Sequence, residues 1–504
     1  MKSSYDIAII GSGVGGSAAA LRLAQSGLSV LVLERGSPLP REAENWSAEE
    51  VFVKRRYVAR DELWSFNGEA PEQPLAYYNV GGASKLYGAV LIRLRQRDFE
   101  ALEFPEGVSP EWPISYADLA PYYDVVEQCF GVHGLAGEDP TEPPRTGPLP
   151  FPPIPHDDRI VDVIDGLRAA GLKPFHLPLS LQQHAGGNCI RCGTCDGYPC
   201  RVDAKGDAEI SLLNRALAHS NVTLWTKAKV ERLHLQADGN RISHIAGRRD
   251  GESFEVSAKV IILAAGAINS AVLLLRSGDG RFSGGLANSS GMVGRNYMAH
   301  NSSVLMAFSP RRKNIFFQKT FGLNDYYFGD AAYPFPMGNA QMIGKLQAAM
   351  IAGQTPYLPN LLRREAVRHS IDWYLQSEDL PDLASRISVG GDSRIRFDRK
   401  LSNLEPHRQL VSRISGHMKR LGFPLVVTEM LGAKTTSHQC GTVRMGHDAA
   451  TSPLDSYCRS YDHPNLFVTD ASFFPSSAGV NPALTVAAQS MRAVDHILAT
   501  DFRG

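Results

Sequence analysis

At 504 residues and 43% hydrophobic content, the chain can bury one large core or two closely joined lobes. Its 52 basic side chains balance 52 acidic ones, so no overall field draws it to nucleic acid or an anionic membrane, and a small molecule is the expected partner. No charged leader precedes the first strand, no run of about 18 apolar residues appears, and seven cysteines are an odd, unevenly spaced set, so a soluble cytoplasmic protein with reduced thiols is expected.

Tyr5–Ile10 reads as a buried strand, and Gly11-Ser-Gly13-Val-Gly15-Gly16 opens a helical pattern through Leu23. A second strand, Leu28–Leu33, ends at Glu34. In such a βαβ start Gly11 permits the tight turn, Gly13 lets backbone N–H groups approach a pyrophosphate, and Gly16 lets the helix pack closely on the strand. Glu34 can accept hydrogen bonds from ribose hydroxyls and would repel a 2′-phosphate. The motif predicts a dinucleotide and by itself leaves FAD and NAD open.

A second glycine cluster, Asn79-Val-Gly81-Gly82-Ala-Ser84-Lys-Leu86-Tyr-Gly88-Ala89, marks another close approach of backbone to a ligand, or a flexible turn. The charged stretch from Arg93 to Asp98 reads as a solvated face. Ser115, with Asp118 three residues on, is the expected N-cap of a helix running toward Phe130. Proline-rich Pro140–Pro155 reads as a surface excursion between lobes.

Cys189, Cys192, Cys195 and Cys200 bring together four of the seven thiols. Thiolates so spaced could hold zinc or an iron–sulfur cluster. The last gap exceeds the ferredoxin pattern and no second pair lies at zinc-ribbon distance, so a compact glycine-rich turn with buried or redox-active thiols, and no metal, is the expectation. Beyond it, Lys205–His219 is predicted helical and Val222–Trp225 a strand. Val230–Leu235, Ile242–Gly247 and Phe254–Val256 form a predicted antiparallel meander. Val260–Leu263 then leads through a small-residue turn into a helix from Ile268 to Leu275, repeating the motif that opens the chain.

The region after Met298 is strand-like and rich in aromatic residues, most of which fill cores. Gln341, on a predicted strand Asn339–Met342, is a candidate for binding substrate hydroxyls. Near the end, His438 precedes a glycine turn at Gly441, an apolar strand ends in Asp470, and Asn481-Pro482 opens an apolar-periodic helix. On residue type alone His447 and His463 are as attractive as His438, and Arg444 is expected to be a structural ion-pair partner.

Taken together, GSGVGG with Glu34, VGGAS at Val80–Ser84, WPISYADLAPYY at Trp112–Tyr123, VIILAAGAINS at Val260–Ser270 and both halves of the final segment resemble the glucose–methanol–choline (GMC) oxidoreductases, FAD enzymes that oxidise alcohols. Bacterial members resembling pyranose and C-glycoside oxidases and amino-sugar alcohol oxidases look most similar. The resemblance implies an α/β fold: a discontinuous Rossmann-like FAD-binding lobe (1–100, 200–300 and 435–504) and an α+β substrate lobe with an antiparallel sheet (101–199 and 301–434). It implies His438 and Asn481 as the catalytic pair, and FAD contacts from Gly81, Gly82, Ser84, Asp470, Pro482 and Thr485, with the backbone of Val230 against adenine. Some relatives attach FAD through a histidine at the position of Leu86, which has no nucleophilic atom, so FAD is expected to be non-covalent.

Alcohol oxidation removes a proton from oxygen and a hydride from carbon. A neutral imidazole, with an ordinary pKa of about 6.5, suits the first task, and flavin N5 the second. Asn481 could cap the last helix or hold the substrate oxygen beside His438. The helix start at Pro482–Thr485 would turn its positive end to the flavin in either case. The expected reaction is FAD-dependent oxidation of an alcohol group on a sugar, glycoside or amino sugar, with oxygen or another electron acceptor. The alternatives are a nonpolar, sterol- or terpenoid-like alcohol as substrate, or a flavin-binding redox sensor using the cysteine cluster.

Overall fold

The computed structural model describes residues 3–503. The N-terminal pattern folds as its periodicity requires. Strand Ser4–Ile10 runs into helix Val14–Leu23, and strand Val30–Leu33 returns parallel to the first, Ile7 beside Val30. These are the centre of a seven-stranded sheet, with Val222–Trp225 on one side and Glu252–Leu263 on the other.

Glu252–Leu263 is one 12-residue strand where the sequence suggested two short ones. Its first half, Glu252–Val256, pairs antiparallel with Ile242–Arg249. Its second half runs parallel both to Ser4–Ile10 and to Leu466–Val468, Ile261 beside Leu466. The meander is therefore continuous with the dinucleotide-type sheet. Residues such as Ile9, Val32, Ile262 and Phe467 are fully buried there. Each contributes about 1.5–3 kcal/mol by leaving water.

The helix predicted over Lys205–His219 begins only at Glu209, as a π turn followed by Asn214–Leu217. Lys205 is instead a buried clamp. Its ammonium donates to the carbonyls of Tyr87, Cys195 and Tyr198 at 2.8, 3.2 and 2.7 Å, which holds its backbone out of helical geometry. Asp207 accepts from the Ile210 amide at 3.0 Å and starts the turn there.

A second, six-stranded antiparallel sheet orders its strands Leu425–Met430, Asn301–Phe308, Ser370–Ser377, Asn339–Met342, Phe321–Leu323 and Phe175–His176. One face is apolar: Leu305, Ala340, Met342, Trp373 and Leu375 pack under Ile160, Leu167, Leu410 and Ile414 of helices Asp158–Ala169 and Leu404–Arg420. By the two-residue alternation of a strand the opposite face carries Asn339, Gln341, Tyr374 and Gln376.

Ser115 and Asp118 form the anticipated capping box on helix Tyr116–Phe130. That helix lies in the 101–199 stretch but packs on the last helix, Ala483–Thr500, with Tyr123 bonded to Thr485 at 2.8 Å. Among the described residues no helix is long and apolar enough to cross a membrane.

Candidate active site

The glycines of the first turn separate by what surrounds them. A Cβ on Gly16 would lie 2.0 Å from the Gly11 carbonyl oxygen, and one on Gly11, whose φ is +104°, 2.3 Å from that of Ala264. Both belong to close backbone packing. Gly13 differs, because nothing lies within 4 Å of where its Cβ would be. It starts helix Val14–Leu23, whose first turn has neither an acidic residue nor a side-chain cap among the described residues. Unpaired N–H donors facing open space fit a pyrophosphate.

Glu34 is buried and its carboxylate is fixed by Ser12 N, Ser12 Oγ and Gly36 N at 3.0, 2.6 and 2.7 Å. Ser12 Oγ also accepts from Gly81 N at 3.1 Å, so the second glycine cluster sits on the first. Gly81 and Gly82 have φ of +87° and +60°, and a Cβ on Gly82 would come 3.0 Å from Gly13 Cα. Ser84 is used internally, donating to Gly81 O at 2.6 Å and accepting from Ala208 N at 3.0 Å. Val230 lies at a β-bulge, between Val230 and Arg232, where the ladder to the neighbouring strand is interrupted.

Asp470 is wholly committed to the protein. Its carboxylate accepts from Gly266 N and Ser472 N, both at 2.9 Å, and from the hydroxyls of Ser270 and Ser472. It thereby caps the short turn Ala471–Phe473, and burial raises its pKa. A cofactor contact at this residue falls to its backbone. The start of Ala483–Thr500 lacks a side-chain cap among the described residues, so the capping role weighed for Asn481 is not the one its amide takes.

Met298 and Cys440 exchange backbone hydrogen bonds of 3.0 and 2.9 Å and bring two histidines together. His300 Nδ1 lies 2.9 Å from His438 Nδ1. His438 is half-buried with φ +55°, in the left-handed region that costs a non-glycine residue strain and often marks a functional position. Burial, then His300, then the Lys319 ammonium hold its pKa well below the ordinary imidazole range. Burial likewise pushes His300 down to about 4. Both rings are neutral near pH 7.

The polar face of the second sheet closes around this pair. The Tyr374 ring stands edge-on to His438 with centroids 6.1 Å apart. Gln376 donates to Asn481 Oδ1 at 3.1 Å and to Asn339 Oδ1 at 3.2 Å. Gln341 is buried opposite Tyr374, and its amide oxygen finds no protein partner among the described residues. Lys319 is ion-paired with Asp196, whose other oxygen accepts from Gly344 N at 2.6 Å. His300, Tyr374, Gln376 and Lys319 were not singled out in the sequence. His447 is exposed, His463 bonds to the Asn240 carbonyl, and Arg444, expected in an ion pair, instead donates to the Thr451 carbonyl.

The four clustered cysteines lie in irregular turns, and all seven thiols are free. Cys195 is buried, with its pKa pushed up to about 12 by burial, and is neutral and unreactive at pH 7. Among the described residues no group of three or more His, Cys, Asp or Glu side chains is arranged to hold a metal ion.

Uncapped glycine turns that suit a dinucleotide and a neutral, strained histidine are the parts that a flavin-dependent oxidoreductase uses. Family profiles agree: one for FAD-dependent oxidoreductases matches residues 6–78, and two for GMC oxidoreductases match 75–302 and 426–490. The chain is 31% identical to paromamine 6'-oxidase of Streptomyces fradiae and 29% identical to 6'''-hydroxyparomomycin C oxidase of Streptomyces lividus, in each case over 97% of this chain and 90% of the relative. Pyridoxine 4-oxidase from Mesorbium loti has the same fold, with a TM-score of 0.64 over 97% of this chain and 98% of that one at 18% identity. The chain belongs to the GMC oxidoreductase family and is an FAD-dependent enzyme.

Proposed function

We propose that the protein oxidises an alcohol group of a sugar, glycoside or amino sugar to a carbonyl, with His438 taking the hydroxyl proton and Asn481 holding the substrate oxygen. The observation that carries this reading is the polar sheet face opposite a neutral His438. Asn481 gives its carbonyl oxygen to Gln376, which leaves its NH2 group to donate to a substrate oxygen. The Gln341 amide oxygen awaits a donor such as a sugar hydroxyl. A sterol-like alcohol would leave these groups unpaired, at about 1–3 kcal/mol each. The two Streptomyces relatives are named as oxidases of paromamine and of 6'''-hydroxyparomomycin C, in keeping with a polar substrate.

FAD supplies the hydride acceptor when bound. Gly13, Glu34, Gly81, Gly82 and the Val230 backbone would hold its nucleotide half, and the start of the Ala483–Thr500 helix its ring. Leu86 supports non-covalent attachment. Free thiols throughout suit a reducing compartment such as the cytoplasm. Oxygen or another electron acceptor would be the second substrate.

The test is anaerobic mixing of the holoenzyme with sugars, glycosides, amino sugars and long-chain alcohols while the flavin absorbance is followed. Bleaching by a polyol, with His438→Ala retaining FAD but losing that bleaching, is the expected result. Bleaching by nonpolar alcohols alone, or unchanged kinetics in His438→Ala, would overturn it.

A further inference from the structure

The hydrogen bonds around His300 determine which nitrogen of His438 is available for chemistry. His300 Nε2 lies 3.0 Å from the Ser477 carbonyl oxygen, which can only accept, so Nε2 carries the proton of this neutral ring. His300 Nδ1 is then a bare lone pair. The atom 2.9 Å away, His438 Nδ1, must carry a proton to meet it. His438 is neutral too, so its Nε2 is left unprotonated.

Resting on the reading of His438 as proton acceptor, we propose that His300 is a positioning residue that selects the Nδ1–H tautomer of His438 and shares the positive charge once a proton arrives. In that step the substrate O–H bond breaks, its proton forms a new N–H bond at His438 Nε2, and the electron pair stays on oxygen to expel hydride from carbon toward the cofactor. The Nδ1 proton can then move to His300. His300 would hold N–H groups toward both the Ser477 carbonyl and His438, and no heavy atom need shift.

No carboxylate touches either ring in the described contacts. His438 faces His300, the Lys319 ammonium and Tyr374. His300 faces Ser477 and Gln376 and feels the Arg399 guanidinium, which is paired with Asp379 at 2.8 Å. Two neighbouring cations and burial disfavour a resting positive charge. The pair stays neutral until the developing alkoxide supplies the counter-charge, which is when a base is needed.

The experiment compares His300→Leu and His300→Asn holoenzymes, with FAD content read by visible absorbance and anaerobic flavin reduction followed against pH, using a sugar that bleaches the wild type. Leucine removes the acceptor, and reduction is expected to fall about 100-fold with FAD retained. The acid limb of its pH profile should also move downward, because protonated His438 has lost the lone pair that receives its Nδ1–H. Asparagine can accept the Nδ1–H and should recover at least about a tenth of the wild-type rate. A leucine variant at wild-type speed, or asparagine as slow as leucine with an unmoved acid limb, would overturn the proposal. Long-range 15N–1H spectra of histidine-labelled wild type test it without any variant: an unprotonated His438 Nε2 supports it, an unprotonated Nδ1 refutes it. If no alcohol bleaches the wild type, the broader reading fails, and the spectra still decide the tautomer.

Discussion

The Gln376 amide nitrogen donates to the Asn481 amide oxygen at 3.1 Å across 105 residues of sequence, joining the polar sheet face to the start of the last helix. The same nitrogen serves Asn339, so one side chain orients two amides. Gln376→Leu leaves two acceptors unserved. The variant should unfold at lower temperature, by about 1–3 kcal/mol, and its half-saturating sugar concentration in flavin reduction should rise about tenfold. Reduced stability with unaltered saturation would show that Asn481 reaches the substrate without this support.

Gly13 and Gly16 stand three residues apart but should respond oppositely to alanine. A Cβ at Gly16 meets the Gly11 carbonyl at 2.0 Å, whereas one at Gly13, whose φ is −67°, enters open space. Gly13→Ala should therefore fold with wild-type stability and lose FAD by at least about 1.4 kcal/mol, a tenfold weaker Kd, because the methyl occupies the cofactor's track. Gly16→Ala should misfold or yield little protein. Flavin-fluorescence titration of each apoprotein separates the two, and a Gly13→Ala variant with full FAD affinity would show that the pyrophosphate lies elsewhere.

Acid should remove the stability that buried neutral histidines confer, opposed by Glu378 and Asp98, whose carboxyls burial raises to about 8 and about 6. Burial depresses both His300 and His407 to about 4, and His407 is locked between Ser303 and Ser377 by bonds of 2.7 and 2.9 Å. Between pH 6.5 and 4 the unfolded chain binds protons that these rings do not, so their contribution to stability falls as pH drops through that window, at up to about 1.4 kcal/mol per pH unit for each ring. His407→Gln, placed away from the reacting atoms, should flatten the profile of melting temperature against pH. An equally steep profile would assign the loss to other groups.

What was legible in the sequence was local. The glycine turn and the Ser115–Asp118 cap each depend on neighbours a few residues away and form as their patterns require, while the strand expected to end at Asp470 stops at Val468 and leaves Asp470 to cap the next turn. The family resemblance is borne out by profiles matched at both ends of the chain. His300 was missed although it lies two residues beyond the noted Met298, because its partner is set by the Met298–Cys440 bridge, a pairing without local signature. Lys205 was misread as helical because a lysine gathering three distant carbonyls looks like any surface lysine on a helix. The polar sheet face was half visible: alternation through Asn339–Met342 selects Gln341, but only the pairing with Ser370–Ser377 places Tyr374 and Gln376 beside it.

The parallel pairing of Leu466–Val468 with Ile261–Leu263 has a consequence for synthesis. A nascent chain can build the antiparallel sheet early, but the dinucleotide-type sheet gains this strand only when residues 466–468 clear the exit tunnel. A chain cut before Leu466 lacks this strand and should be isolated colourless.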